Sequence, residues 1–184
     1  MFQIYGMSIQ SIAVFCGSRK GNNPLFEQAA QRLSQLLAEH KVTIVYGGGN
    51  AGLMGVVANS ALENNGNVIG IMPLLLREQE YQHDGLSELH VVDSMHTRKC
   101  LMYEKCDAAI ILPGGFGTLD EVFEMLTWNQ LNIHSKRVFF LNTDGFYTHL
   151  LRHMEMMKTQ GFLYDHPNVQ IEIIERPEAL LPFL

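Results

Sequence analysis

A glycine-rich segment followed by a carboxylate is the part of this sequence best suited to chemistry. The residues PGGFGT occupy positions 113–118, directly after an apolar run at 108–112, and Glu121 follows them. Glycines between a strand and a helix let the backbone approach an anion closely, and N–H groups at the helix N-terminus point towards it. The segment predicts a phosphate-binding loop, with the helix beginning near Thr118 and the carboxylate one turn further on.

Glu121 has two interpretations. Thr118 and Glu121 have the spacing of a capping box, in which the glutamate only bonds a backbone N–H group at the helix start. Glu121 also lies off the apolar stripe of the predicted helix, which contains Leu119, Val122 and Leu126. Position alone favours neither interpretation, whereas the neighbouring glycines favour a site.

Two cations stand near the start of another predicted helix, at residues 95–106. Arg98 and Lys99 lie in its first turn, where positive charge opposes the helix dipole. An anionic partner would remove that cost, because Arg98 can bind a phosphate or carboxylate in a bidentate manner and Lys99 supplies a point charge. The alternative is a solvated surface pair.

A second glycine-rich segment, at 47–55, fits the pattern G-x-G-x-x-G superficially. It follows the second predicted strand rather than the first, and no acidic residue stands where a ribose contact is expected. Its glycines, Gly48 and Gly49 among them, predict either close strand–helix packing or a ligand contact.

The connection at 73–88 is long for a fold of this kind and carries Glu78, Glu80, His83 and Asp84. Its length predicts a lid or a contact surface. The spacing of the four side chains does not define a metal site, so we expect a polar surface loop there.

Composition restricts the class of protein. The chain has 184 residues, a net charge of −6 and no basic run, which argues against nucleic-acid and membrane partners. Three cysteines without regular spacing predict neither a disulfide framework nor a zinc site. Because residues 1–10 lack a cationic, apolar leader, we expect a cytoplasmic protein.

Apolar strands alternate with amphipathic helices along the chain. This order predicts an α/β fold with a single doubly wound, mostly parallel sheet, Rossmann-like, in one domain over residues 1–184. The predicted strands are 12–16, 42–46, 68–71, 89–92, 108–112, 138–141 and an edge strand at 169–174. The predicted helices are 25–40, 53–64, 95–106, 119–131, 146–159 and a short one at 177–184. Ligands of such folds bind outside the carboxyl ends of the strands.

Four motifs together resemble one known family over residues 11–161. They are Cys16-Gly17-Ser18, the glycine segment at 47–55, Met95-His96-x-Arg98-Lys99, and P-G-G-x-G-T-x-x-E at 113–121. The chain resembles the "lonely guy" family of cytokinin riboside 5′-monophosphate phosphoribohydrolases, whose members often carry an older label of possible lysine decarboxylases.

The resemblance implies hydrolysis of the N-glycosidic bond of an adenosine 5′-monophosphate, often N6-modified, to the free base and ribose 5-phosphate. It implies a homodimer, with no metal or redox cofactor, and assigns Arg98 and Glu121 as the catalytic pair. Phe116 stands where tyrosine is common in the family, and Asp120 where glutamate is common. The predicted substrate-binding residues are Glu80, Lys99, Gly114, Gly115, Phe116, Gly117, Thr118, Thr127, Ser18, Gly48 and Gly49.

Two other functions stay open. Related Rossmann-like proteins carry or sense nucleotide-like ligands, including molybdenum cofactor, without cleaving them. A pure carrier needs no carboxylate beside its phosphate, so Arg98 and Glu121 together favour the hydrolase. A pyridoxal phosphate decarboxylase needs a Schiff-base lysine, and Lys99 beside Arg98 is a poor candidate.

Overall fold

A computed structural model of the protein describes residues 8–77 and 81–184. Seven short, largely apolar segments form strands, and five longer segments form α-helices. The strands are β1 (Ser11–Phe15), β2 (Thr43–Tyr46), β3 (Val68–Pro73), β4 (Glu88–Val92), β5 (Ala108–Ile111), β6 (Arg137–Leu141) and β7 (Ile171–Ile174). The helices are α1 (Pro24–Glu39), α2 (Gly52–Glu63), α3 (Met95–Glu104), α4 (Phe116–Gln130) and α5 (Thr148–Thr159).

The strands make one sheet in the order β4-β3-β2-β1-β5-β6-β7, and every neighbouring pair is parallel. The α/β, doubly wound prediction is confirmed, and the sheet is parallel throughout. β1 pairs with β5 through Ile12 and Ala108, so the sequence order reverses between these two strands. This switch point is where such sheets open a crevice for a ligand.

Alternate residues of each strand enter two separate cores. In β1, Ile12 and Val14 face α1 and α2, whereas Ala13 and Phe15 face α3, α4 and α5. All four side chains are buried. Burial on both faces explains why these strands are continuous apolar runs rather than alternating ones.

Several boundaries differ from the sequence-based prediction. α4 begins at Phe116, not at 119, and α3 ends at Glu104, short of 106. α5 begins at Thr148 because a short 3-10 helix, Thr143–Gly145, precedes it. The edge strand pairs with β6 only over Ile171–Ile174, and the terminal helix is a 3-10 helix at Pro177–Phe183.

The long connection between β3 and β4 is partly ordered by the loop after β2. It opens with a 3-10 helix at Leu74–Leu76, and Gln82 forms an antiparallel bridge with Gly49. Glu78 and Glu80 lie outside the described residues. No helix within the described ranges is long and apolar enough to cross a bilayer.

Candidate active site

A cavity of about 240 Å³ opens at the carboxyl end of the sheet, at the switch point between β1 and β5. Its wall combines the loops after β1, β2 and β5 with the first turns of α3 and α4. Seven of the predicted site residues line it: Ser18, Arg98, Gly115, Phe116, Gly117, Thr118 and Glu121.

The loops after β1 and β5 contact each other through backbone alone. The Gly17 N–H donates to the Pro113 carbonyl at 3.0 Å, and a Cβ at Gly17 would lie 3.3 Å from the Cα of Gly114. A Cβ at Gly114 would overlap the hydroxyl of Thr118. Both glycines are therefore required by the close approach of two loops.

Gly115 and Gly117 differ from Gly114 in this respect. A Cβ at either position would meet no described atom within 4 Å. Packing within the described protein does not demand these two glycines, and the space on the side of a virtual Cβ is open. Phe116, between them, is 95% exposed at the rim of the cavity.

The start of α4 excludes one of the two interpretations of Glu121. The N-cap is Gly115, and among the described residues no side chain caps this helix. Thr118 is already the third residue of the helix, so the capping-box interpretation of Thr118 and Glu121 is wrong. The first N–H groups of α4 face the cavity region without a side-chain acceptor at the cap, which suits an anion.

Glu121 lies in the second turn of α4 and lines the same cavity, with 8% of its surface exposed. Its backbone carbonyl accepts a hydrogen bond from the Tyr103 hydroxyl at 2.9 Å, and the same hydroxyl lies 3.1 Å from a Glu124 carboxylate oxygen. Burial and these neighbouring acids raise the pKa of Tyr103, which keeps its hydroxyl a donor. α3 thus holds the helix turn that carries Glu121.

Arg98 reaches the cavity from α3 and is 4% exposed. Ser94 caps this helix by accepting from the Thr97 N–H at 3.1 Å, which fixes the first turn. The guanidinium lies against Gly47, where a Cβ would overlap Nη2. Another Arg98 nitrogen, Nη1, lies 3.8 Å from the Met95 sulfur.

Lys99 turns away from this cavity to α4. Its ammonium lies 3.1 Å from an Asp120 carboxylate oxygen and 3.0 Å from one of Glu124, and its side chain is 13% exposed. Burial works against the charged form, but the two carboxylates outweigh it, so the pKa of Lys99 is raised. Lys99 therefore serves as a charged link between α3 and α4.

Three further predicted residues lie away from the cavity lining. Gly48 adopts a φ of +82° and, with Gly49, holds the connection after β3 through backbone bonds. Thr127 is exposed on the outer side of α4, where its hydroxyl donates to the Phe123 carbonyl at 2.7 Å. Glu80 lies outside the described residues. Their substrate contacts stay predictions.

Sequence reasoning missed part of the wall. Gly47 gives Arg98 its space, and three methionines, Met54, Met95 and Met102, line the cavity with Leu76. The available signal was the spacing of Met95, Arg98 and Met102, which places all three on one side of α3. His83 was also misjudged, since it is 6% exposed and not on a polar surface.

The described residues contain no group of three or more His, Cys, Asp or Glu side chains arranged to hold a metal ion. The cavity brings together the first residues of α4, the apolar side chains of the methionines and Leu76, and the side chains of Glu121 and Arg98. A carboxylate there can stabilise a developing positive charge or activate water.

A parallel α/β sheet with a glycine-rich strand-to-helix loop at its switch point is typical of doubly wound, nucleotide-binding proteins. Comparison with known proteins is more specific. The sequence profile of the family described as "Possible lysine decarboxylase" matches residues 54–184.

Relatives that are similar in sequence carry a more informative name. A cytokinin riboside 5′-monophosphate phosphoribohydrolase from Rhodococcoides fascians is 44% identical over 84% of this chain and 78% of its own. A probable enzyme of the same name from Oryza sativa subsp. japonica is 43% identical over 84% of this chain and 67% of its own. The chain therefore belongs to the cytokinin riboside 5′-monophosphate phosphoribohydrolase family.

Solved structures share the fold. A molybdenum cofactor binding protein from Rippkaea orientalis superposes with a TM-score of 0.70 at 26% identity, covering 96% of each chain. The molybdenum cofactor carrier protein of Chlamydomonas reinhardtii gives a TM-score of 0.71 at 17% identity, covering 94% of this chain and 93% of its own. The second likeness concerns the fold alone.

Proposed function

We propose that the protein hydrolyses the N-glycosidic bond of adenosine 5′-monophosphates, including N6-modified ones, to the free base and ribose 5-phosphate. The observation that carries the proposal is the presence of Glu121 and Arg98 in one cavity with Gly115 and Gly117, beside which a Cβ would find open space. Relatives that are 43–44% identical bear the name of this activity.

The 5′-phosphate binds at the N-terminus of α4. The positive end of the helix and the N–H groups of residues 115–118 favour a dianion there. Because Gly115 and Gly117 carry no side chain, the phosphate oxygens reach those amides directly. Binding at this end fixes the position of the ribose relative to Glu121.

The bond that breaks joins C1′ to the base nitrogen. As it lengthens, positive charge develops on the ribosyl ring, which becomes oxocarbenium-like. Glu121 faces that charge and takes a proton from the attacking water, whose oxygen forms the new bond to C1′. The base nitrogen leaves with the bonding electron pair and takes up a proton. Arg98 contacts polar or anionic groups of the substrate and orients Glu121.

The base lies against the methionine wall. Met54, Met95 and Met102 are unbranched and polarizable, so they adapt to purines with different substituents. This wall supports an N6-modified base as part of the substrate range.

We further propose a homodimer that works in the cytoplasm. Large apolar side chains are exposed just after the end of α4, with Leu131 at 63% and Ile133 at 59%. A second copy of this chain is the partner that would cover them. All three cysteines are free thiols, which fits a reducing compartment.

The carrier and decarboxylase functions have weaker support. The molybdenum cofactor proteins share the fold but are at most 26% identical, compared with 43–44% for the hydrolases. A Schiff-base lysine must lose its proton, and Lys99 is held as an ammonium by Asp120 and Glu124.

The test is a product assay with AMP, N6-isopentenyl-AMP and adenosine, analysed by chromatography for free base and ribose 5-phosphate. We expect both products from the two monophosphates and much slower release from the nucleoside. If folded protein released no base from any purine monophosphate, the proposal would be wrong. Equal cleavage of adenosine would refute only the phosphate-binding assignment.

A further inference from the structure

The segment that follows the undescribed residues is bound tightly to the loop after β2. The Asn50 N–H donates to the Tyr81 carbonyl at 2.8 Å, and the His83 N–H donates to the Gly48 carbonyl at 3.0 Å. Gln82, between them, bridges to Gly49. The backbone at Gly48–Asn50 is therefore held on one side by residues 81–83.

The His83 side chain also contacts this loop, indirectly through Asn59 on α2. Its Nε2 lies 3.0 Å from the Asn59 side-chain oxygen on α2, and the Asn59 amide donates to the Asn50 side-chain oxygen at 3.2 Å. Its Nδ1 accepts from the Gly85 N–H at 3.1 Å. This pattern requires the neutral ring with its proton on Nε2, because a protonated Nδ1 would face an N–H group. Burial lowers the pKa of His83, and the charge of Asp84 opposes this.

The Arg98 side chain packs against the same loop that His83 contacts. Gly47 directly precedes Gly48, and the Arg98 guanidinium lies so close to Gly47 that no Cβ would fit between them. A shift of this backbone by a few tenths of an ångström must move the guanidinium or open a gap beneath it. Contact thus runs from the imidazole through Asn59, Asn50 and Gly48 to Gly47 and Arg98.

We propose that neutral His83 is a positioning residue of the active site, which fixes the loop at residues 47–50 and, through it, Arg98. This inference rests on the proposed function for its kinetic readout. His83 lines no part of the cavity and acts only through the loop.

A double-mutant cycle tests the proposal. We expect His83→Ala to lower kcat/KM for AMP about tenfold in the wild-type background but less than about twofold in an Arg98→Lys background, because residues that act in series are not additive. His83→Gln keeps a donor near the Nε2 position and loses the acceptor for Gly85, so it should recover part of the activity. His40→Ala is the control, since the His40 ring also contacts a backbone group, with Nδ1 2.9 Å from the Leu36 carbonyl oxygen, but at the end of α1. It should leave kcat/KM unchanged.

The cycle separates positioning from general stabilisation. Equal losses in the two backgrounds, or unchanged kcat/KM in folded His83→Ala, would overturn the proposal. So would failure of both His83 variants to fold, because the role would then be structural. If the wild-type protein released no base, the proposed function would fail by itself. The Kd of AMP would then be measured across the same cycle by calorimetry, and additive changes in Kd would refute the role of His83.

Discussion

The acid and the arginine of the cavity are both nearly buried, at 8% and 4% exposure. Two opposite charges withdrawn from water interact more strongly than they would at the surface, and each is costly to leave alone. Glu121 and Arg98 come from different helices, so their proximity is set by how α3 packs on α4. The placement of the two proposed catalytic side chains therefore depends on helix packing.

Substitution of Glu121 should affect the chemical step more than substrate binding. We expect Glu121→Gln to lower kcat for AMP by about 10²-fold or more, since general-base assistance of water is lost. KM should change much less, because the phosphate contacts are backbone amides. Steady-state kinetics with free-base detection measures both. Glu104→Gln removes an exposed carboxylate of α3 outside the cavity and should leave kcat unchanged. Near-normal turnover of Glu121→Gln would remove this residue from the mechanism.

His83 also predicts how stability depends on pH. Its pKa in the folded protein lies below the ordinary value of 6.5. The unfolded chain therefore takes up the proton first as the pH falls, and the stabilising effect of neutral His83, complete above 6.5, is lost below it. We expect the Tm to fall between pH 7 and pH 5 and to fall less in His83→Gln. Thermal unfolding followed by circular dichroism measures both, and an identical pH slope in the variant would contradict this assignment.

At the scale of elements, the loop that leads into α4 and the first turn of that helix contain two kinds of glycine. Gly114 is fixed by the hydroxyl of Thr118 and the backbone of Gly17, whereas Gly117 has only open space beside it. One is needed for folding, and the other leaves room for a ligand. Replacing each glycine by alanine separates the two roles.

We expect Gly117→Ala to keep or raise the Tm, because alanine is favoured over glycine inside a helix by up to about 1 kcal/mol. The same change should raise KM for AMP, since its methyl group occupies the open space beside this residue. Gly114→Ala should instead lower the Tm, as its Cβ overlaps Thr118. Thermal unfolding and AMP kinetics on both variants make the comparison. Unaltered KM in Gly117→Ala would place the phosphate elsewhere.

The elements themselves were largely predictable, and their junctions were not. Apolar runs separated by amphipathic segments predict every strand and the five α-helices. The start of α4 was misplaced because propensity disfavours glycine inside a helix, yet Gly117 lies in its first turn. His83 was misplaced because its burial depends on hydrogen bonds to Asn59 and Gly48, which are distant in sequence. Local sequence patterns do not predict contacts between residues that are distant in sequence.

At the scale of the whole molecule, the two faces of the sheet are covered unequally. On one face α1 and α2 bury six and seven residues, whereas on the other α3, α4 and α5 bury three, six and none. The exposed apolar side chains of Leu131 and Ile133 directly follow α4, which is one of the helices on this face. That asymmetry is the reason to expect a second copy of the chain on this side.

The dimer can be tested by placing a charge on that face. Leu131→Asp should convert the dimer to a monomer, because an unpaired charge would be buried in the contact. Leu181→Asp is the control, since Leu181 is 41% exposed beside the core on the opposite side of the sheet. Light scattering coupled to gel filtration gives the mass of each. A wild-type monomer, or a dimer that persists in Leu131→Asp, would contradict the prediction.

The pairing of β1 with β5 has a consequence for synthesis on the ribosome. β1 cannot pair with β5 until Ala108, the partner of Ile12, has emerged from the ribosome. Joining two segments so far apart in the sequence is entropically costly and slow. A nascent chain that contains Arg98 but not yet β5 and α4 lacks Glu121, the backbone amides at the start of α4 and the crevice between β1 and β5. Catalytic activity therefore appears late in synthesis, when the polypeptide is nearly complete. We expect no amino-terminal fragment that lacks β5 and α4 to hydrolyse the nucleotide.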